Sequence, residues 1–194
     1  MSSVRYLVRR IGRSVKAWLY RKRYRLINAS KKAYFCGPLK ISRDVVLEDF
    51  VYIGPYCEIY PNVTIKKYTM LANNVSIMGG DHRYDIIGAP IAFSGRDIIL
   101  PTVIGSDCWI GAHSIIKSGV HIADGCVIAM GSVVTKDTQP YGIYAGVPAK
   151  RVKDRFHTVD EMNEHIDKIS KITPYEAEEF VLKGLDRLID VVIE

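Results

Sequence analysis

The sequence predicts a mainly β chain: a parallel β-helix carrying an N-terminal basic amphipathic helix, an extruded loop and C-terminal helices. Three observations predict it. An aliphatic residue returns at every sixth position, first as Ile41, Leu47, Ile53, Ile59, Ile65, Leu71 and Ile77. After an interruption the register continues as Ile104, Ile110, Ile116, Ile122, Ile128 and Val134. The residue four places on is usually small or β-branched: Val45, Val51, Cys57, Val63, Thr69 and Val75, then Cys108, Ser114, Val120, Cys126, Ser132 and Thr138, with Asp81 the polar exception where the pattern breaks off. Thirdly, Gly, Asn and Asp recur between these pairs. A period of six is neither the ~3.6 of a helix nor the ~2 of a strand. It suits short strands joined by tight turns, each burying one large and one small residue around a common axis.

The totals fit this reading. A chain of 194 residues, 48% hydrophobic and 25% charged, suits one folded domain with appendages. No apolar run approaches the ~18–20 residues that cross a bilayer, and the first segment is too broken by Arg for a secretory signal. The four cysteines show neither paired nor metal-type spacing, and Cys57, Cys108 and Cys126 fill the small slot of the repeat. That favours structural burial and a reducing, cytoplasmic setting. The formal charge of +6 belongs to the N-terminal arm, because no Asp or Glu precedes Asp44.

Residues 1–34 form the basic arm. Val4, Leu7, Val8, Ile11, Val15, Trp18 and Leu19 recur at helical spacing among Arg5, Arg9, Arg10, Arg13 and Lys16, and Arg21-Lys22-Arg23 and Arg25 follow. Two fates stay open: residues 1–30 lie on an anionic membrane surface, or the apolar stripe packs on the β-helix or a neighbouring subunit. Nucleic-acid binding has no motif or stacking platform behind it. Residues 35–155 form the β-helical domain. Its register lapses after His82 into an extruded loop over about 83–97 and is expected to resume at Ile98. Arg83, Tyr84, Asp85, Pro90, Phe93 and Arg96 argue for an ordered lobe. Residues 156–194 hold two helices. Thr158 with Glu161, and Thr173 with Glu176 beside Pro174, have capping-box spacing. Their apolar faces (Met162, Ile166 and Ile169; Phe180, Leu185, Leu188 and Ile189) need a partner.

The motifs inside the repeat resemble the hexapeptide-repeat acyltransferases, in the branch of galactoside, streptogramin and polysaccharide O-acetyltransferases. The resemblance covers roughly residues 41–155. It is carried by Gly80-Asp81-His82-Arg83, by Val103-Ile104-Gly105-Ser106-Asp107-Cys108-Trp109-Ile110-Gly111, and by Ala129-Met130-Gly131-Ser132-Val133-Val134-Thr135-Lys136-Asp137 with Gly146-Val147-Pro148-Ala149-Lys150. It implies a left-handed β-helix, a homotrimer with active sites between subunits, and acetyl-coenzyme A as acyl donor with no metal. His82 matches the family's catalytic histidine, a general base suited to neutral pH. Trp109, Gly111, Ala112, Ala129, Met130, Gly131, Thr135, Lys136, Lys150 and Lys153 match donor-binding positions. Asp81 and Asp85 flank the base, where either can orient it or hold an acceptor, or Asp81 only caps a turn. Tyr52 and Tyr60 offer aromatic faces to a sugar, or are exterior strand residues.

The function this implies is acetyl transfer to a saccharide hydroxyl, that of a bacterial surface-polysaccharide precursor, by direct transfer in a ternary complex. The acceptor positions depart from the galactoside pattern, so acetylation of an antibiotic or an amino sugar stands as the alternative. A γ-type carbonic anhydrase, with His82, His113 and His121 on zinc, is a remote rival. A β-helix scaffold that only binds nucleotide sugars or membranes is the non-enzymatic one.

Overall fold

The computed structural model describes residues 3–180, so Leu185, Leu188 and Ile189 lie outside the described residues. Helix α1 (Ser3–Arg23) leads into β1 (Tyr34–Phe35), β2 (Lys40–Ile41), β3 (Val46–Leu47), β4 (Tyr52–Ile53), β5 (Glu58–Ile59), β6 (Val63–Ile65), β7 (Met70–Leu71) and β8 (Ser76–Met78). After an excursion come β9 (Thr102–Ile104), β10 (Trp109–Ile110), β11 (Ile115–Lys117), β12 (His121–Ile122), β13 (Val127–Ile128) and β14 (Val133–Val134). The chain closes with β15 (Gly142–Gly146), β16 (Ala149–Asp154) and α2 (Val159–Ser170).

The short strands stack into three sheets, the faces of a prism. Face 1 runs β1-β4-β7-β10-β13-β15-β16, face 2 holds β2, β5, β8, β11 and β14, and face 3 holds β3, β6, β9 and β12. Pairing between coils is parallel: Tyr52 lies opposite Met70, Met70 opposite Trp109, and Trp109 opposite Val127. Among the described strands only β16 folds back antiparallel, on β15. The six-residue register is the core. Leu47, Ile53, Ile65, Leu71, Ile77, Ile104, Ile110, Ile116, Ile122 and Ile128 are fully buried, and the small slots are buried beside them. The hydroxyls in those slots are satisfied internally: Thr69 donates to Gly105 O (2.6 Å) and accepts from Cys108 N (3.0 Å), and Ser114 donates to Ala129 O (3.0 Å).

Most corners turn on a residue in the left-handed region: Phe50, Tyr56, Asn62, Tyr68 and Asn74, then Asp107, His113, Gly119, Gly125 and Gly131. Gly, Asn and Asp take that conformation readily, whereas Phe50, Tyr56 and Tyr68 hold it against a side-chain clash of about 1–2 kcal/mol each. Phe50 and Tyr68 recover part of this by stacking, with ring centroids 5.7 Å apart.

The excursion is ordered by antiparallel pairing at its base. His82 bridges Arg96, Arg83 N donates to Gly95 O (3.1 Å) and Asp97 N donates to Asp81 O (2.8 Å). The β-helical register does not resume at Ile98, which is 79% exposed. It resumes at Thr102, because residues 98–101 are spent returning the chain to face 3; Asn62 and Ser118 hold that return through Ile99 O and Leu100 O.

Helix α1 docks on β1 by one side. Ala17 is buried, the Tyr20 hydroxyl donates to Gly37 O (2.6 Å), and the Arg13 guanidinium sits 3.6 Å from the Tyr34 ring centroid. The Val4 and Leu7 side chains lie outside what the structure describes; the rest of the apolar stripe does not pack on the chain's own β-helix. Val8, Ile11, Val15, Trp18 and Leu19 are each 50–62% exposed. Both capping boxes form: Thr158 with Glu161 starts α2, and Thr173 with Glu176 starts the helical segment at 174–180. That segment packs back towards α1 through buried Ala177 and an Arg10–Glu178 ion pair of 3.0 Å. No helix among the described residues is long and apolar enough to cross a membrane.

Candidate active site

The prism sorts the candidate residues onto its corners. Strand β8 is the middle strand of face 2, and the excursion that leaves it carries Asp81, His82 and Asp85 outward; all three are exposed. Gly80 makes the exit turn at φ +75°, where an added Cβ would stand 2.7 Å from the Ile99 side chain. Among the described residues no group bonds the His82 ring, so its nitrogens are open to a substrate. Asp85 is engaged by Arg83 at 3.6 Å, which leaves it less free to orient the imidazole. Asp81 pairs through its backbone carbonyl, and its neighbour on an extended segment points to the opposite side. Tyr60, Thr135 and Lys136 share this corner, since each follows a face 2 strand.

Gly111, Ala112, Ala129, Met130 and Gly131 occupy the next corner, between face 1 and face 2. Their backbone groups are unequal. The N–H groups of Trp109, Gly111, Ala129 and Gly131 donate to Cys126 O, Ile128 O, Tyr144 O and Ala112 O, at 2.8–2.9 Å. Those of Ala112 and Met130 have no acceptor among the described residues. The free donors at this corner are therefore Ala112 and Met130, a distinction that residue types alone do not carry. Gly111 also has a packing reason: an added Cβ would meet Met130 N at 2.6 Å and Ile128 O at 2.7 Å.

Trp109 stands on face 1, half exposed, with Met70 below and Val127 above. Lys150 and Lys153 lie on β16 at the upper end of the same face, exposed and without an ion pair among the described residues. Arg151 is different, because Asp154 takes its guanidinium (Nε to Oδ1, 2.9 Å) and raises its pKa. Tyr52 sits lower on face 1, in an open groove of about 630 Å³ that the sequence did not signal. Tyr34, Phe50, Tyr68, Met70 and Phe180 line it too, drawn from α1's docking site, two coils and the 174–180 segment. Burial pushes the Tyr52 phenol up to about 12, so it acts there only as a neutral hydrogen-bonding group and an aromatic face.

One chain does not gather three histidines. His82 is on the excursion, His113 makes a corner at φ +60°, and His121 faces outward on β12. No group of three metal-binding side chains occurs among the described residues. His113 has a backbone role of its own, at a conformation that His tolerates better than most residues.

Comparison with known proteins places this architecture. The family model described as hexapeptide repeat of succinyl-transferase matches residues 101–136. A chloramphenicol acetyltransferase of Klebsiella aerogenes is 35% identical over 122 residues, 56% of this chain and 53% of that protein. A probable macrolide acetyltransferase of Lysinibacillus sphaericus is 38% identical over 120 residues, 54% of this chain and 66% of that one. The chain thus spans about half the length of the first of these relatives. The crystal structure of a maltose O-acetyltransferase from Clostridium difficile 630 superposes with a TM-score of 0.58 at 30% identity, covering 69% of this chain and 72% of that one. With its hexad core, its corner geometry and that coverage, the chain belongs to the hexapeptide-repeat acetyltransferases, built on a left-handed parallel β-helix.

Proposed function

We propose that the protein is an acetyl-coenzyme A-dependent O-acetyltransferase that modifies a saccharide hydroxyl, with His82 as general base and a homotrimer as the working form in the cytoplasm. The observation that carries this reading is His82 itself: an exposed imidazole with an unengaged ring, held on an ordered excursion at a prism corner. An alcohol attacks a thioester only as its proton leaves, and a ring nitrogen of His82 can take that proton near neutral pH. Acetyl-coenzyme A supplies the activated acetyl group. The free N–H groups of Ala112 and Met130 can donate to the carbonyl oxygen as charge builds on it. His82 then returns the proton to the departing sulfur. No covalent acyl-enzyme is needed, and no Cys or Ser stands beside the base in the Gly80-Asp81-His82-Arg83 motif.

The donor fits the surrounding groups. Lys136, Lys150 and Lys153, which have no ion pair among the described residues, suit its phosphates, and the corner of Ala129, Met130 and Gly131 leaves open space, since nothing lies within 4 Å of a Cβ added to Gly131. On the acceptor side, Tyr52 and Tyr60 offer rings for a pyranose face, and Asp81 offers a carboxylate for hydroxyls. Two relatives favour a second reading, acetylation of an antibiotic, because they are a chloramphenicol and a probable macrolide acetyltransferase.

The test is thiol release from acetyl-coenzyme A across a panel of sugars, oligosaccharides, amino sugars and antibiotics. Turnover with a sugar hydroxyl is expected, and His82→Ala should lower it roughly 100- to 10,000-fold with the assembly intact. Turnover with antibiotics alone would select the second reading. A near-normal rate in the variant would remove His82 from the chemistry.

A further inference from the structure

We propose that α1 is an interfacial anchor: its exposed stripe seats this protein on the surface of an anionic lipid bilayer. The inference goes beyond the proposed acetyl transfer and does not depend on it.

The geometry separates the two sides of the helix. Arg13, Ala17, Tyr20 and Tyr24 face β1, where Ala17 is buried, Tyr20 bonds Gly37, and the Tyr24 hydroxyl accepts from Leu39 N at 3.1 Å. Val8, Ile11, Val15, Trp18 and Leu19 stand on the other side. At roughly 100° per residue the mean directions of the two sets differ by about 180°. The fold therefore uses one side of α1 to fix the helix and turns the apolar side away from itself. A stripe of five large apolar residues, each at least half exposed, is an unusual surface for a protein that stays in water.

Charge points to the occupant. Arg23 and Lys16 flank the stripe on one side and Arg21 on the other, while Lys22 lies in line with it at the end, from which a long side chain can reach headgroups. Arg10 is spent on Glu178 and does not count. No acidic residue lies on α1 or anywhere before Asp44. A second protein surface would meet the stripe equally well, but it would have to neutralise this one-signed rim; phosphate-bearing lipids do so without special design. Trp18 sits within the stripe, and an indole suits the headgroup boundary.

The test is flotation of the full-length protein with vesicles of phosphatidylcholine containing phosphatidylglycerol, beside vesicles of phosphatidylcholine alone, at low and high salt. Binding is expected to the anionic vesicles, to weaken as salt rises, and to shift Trp18 emission to the blue. Val15→Glu with Trp18→Glu should lower the bound fraction by about tenfold or more. Both positions are exposed, so oligomeric state and thiol release with a water-soluble acceptor should not change. Equal binding by the double variant, or no binding by the parent protein, would overturn the proposal. So would a change in oligomeric state in the double variant, because a second copy would then be what covers the stripe.

Discussion

Cys57 and Cys108 show how firmly individual side chains are committed to the core. Burial pushes the Cys57 thiol up to about 11 and the Cys108 thiol up to about 12, and their sulfurs lie 3.1 and 3.2 Å from Ala72 O and Ala123 O. Both folded values lie above the ordinary value of 9.0. The folded chain thus holds these protons more tightly than the unfolded one, and stability falls as pH climbs from about 9 towards 12. Below about pH 9 neither thiol costs anything. Urea unfolding midpoints are expected to drop between pH 9 and 11, and a thiol reagent at pH 8 should reach these two sulfurs only after unfolding. Rapid labelling of both in native protein would contradict their placement. The slots that hold them were readable in the sequence because large and small residues alternate at fixed intervals. The corners at Phe50, Tyr56 and Tyr68 were not, since aromatic residues favour strands and only the stacked coils force them into the left-handed region.

Helix α2 is an element whose start the sequence marked and whose anchorage it did not. Thr158 and Glu161 announced its start. What ties it down is Asp107, on a corner of the β-helix far back in the chain. Its carboxylate accepts from Arg155 at 2.7 Å and meets His165 Nε2 at 2.8 Å, with Phe156 and Tyr141 against the same imidazole. The Asp107 and Arg155 side chains are less than a quarter exposed, so removing one charge strands the other in partly dry surroundings. Asp107→Asn keeps the shape and the left-handed corner but loses the charge. It is expected to cost about 1–2 kcal/mol and lower Tm by roughly 3–6 °C. Lys168→Ala, which breaks the open Lys168–Glu164 pair, should leave Tm unchanged. Equal shifts from both substitutions would show that exposure does not set the worth of these pairs. The excursion gives a similar lesson: its place after His82 is evident from the lapse of the register, but the point of its return is not. Ile98 fits the aliphatic pattern, and only the hydrogen bonds of Asn62 and Ser118 show that the chain is still outside the prism there.

At the scale of the whole molecule, one chain spreads its candidate groups over several edges. His82 and Lys136 leave face 2, Met130 turns the neighbouring corner, and Trp109 and Lys150 stand on face 1. The excursion holds out Tyr84, Ile87 and Phe93, each more than four-fifths exposed, with nothing of its own chain to cover them. Three copies packed side by side would bring different edges together and bury such residues, which is the trimeric reading. Sedimentation equilibrium is expected to give about three times the 21.9 kDa chain mass; a monomer at micromolar concentration would refute it. Residue pairs across such a seam leave no trace in the spacing of one chain, and for that reason the face was legible but not its neighbour. The two ends of the prism have a consequence of their own. Leu26, Ala29 and Ala33 stopper the bottom, with Ser30 N bonded to Leu47 O, and β16 turns back across the top against the direction of every other strand. A column of identical rungs would otherwise offer each terminus as a template for more rungs, from its own kind or a stranger's. Covered in this way, the bottom of the spiral and the upper edge of face 1 offer no parallel rung for another chain to extend.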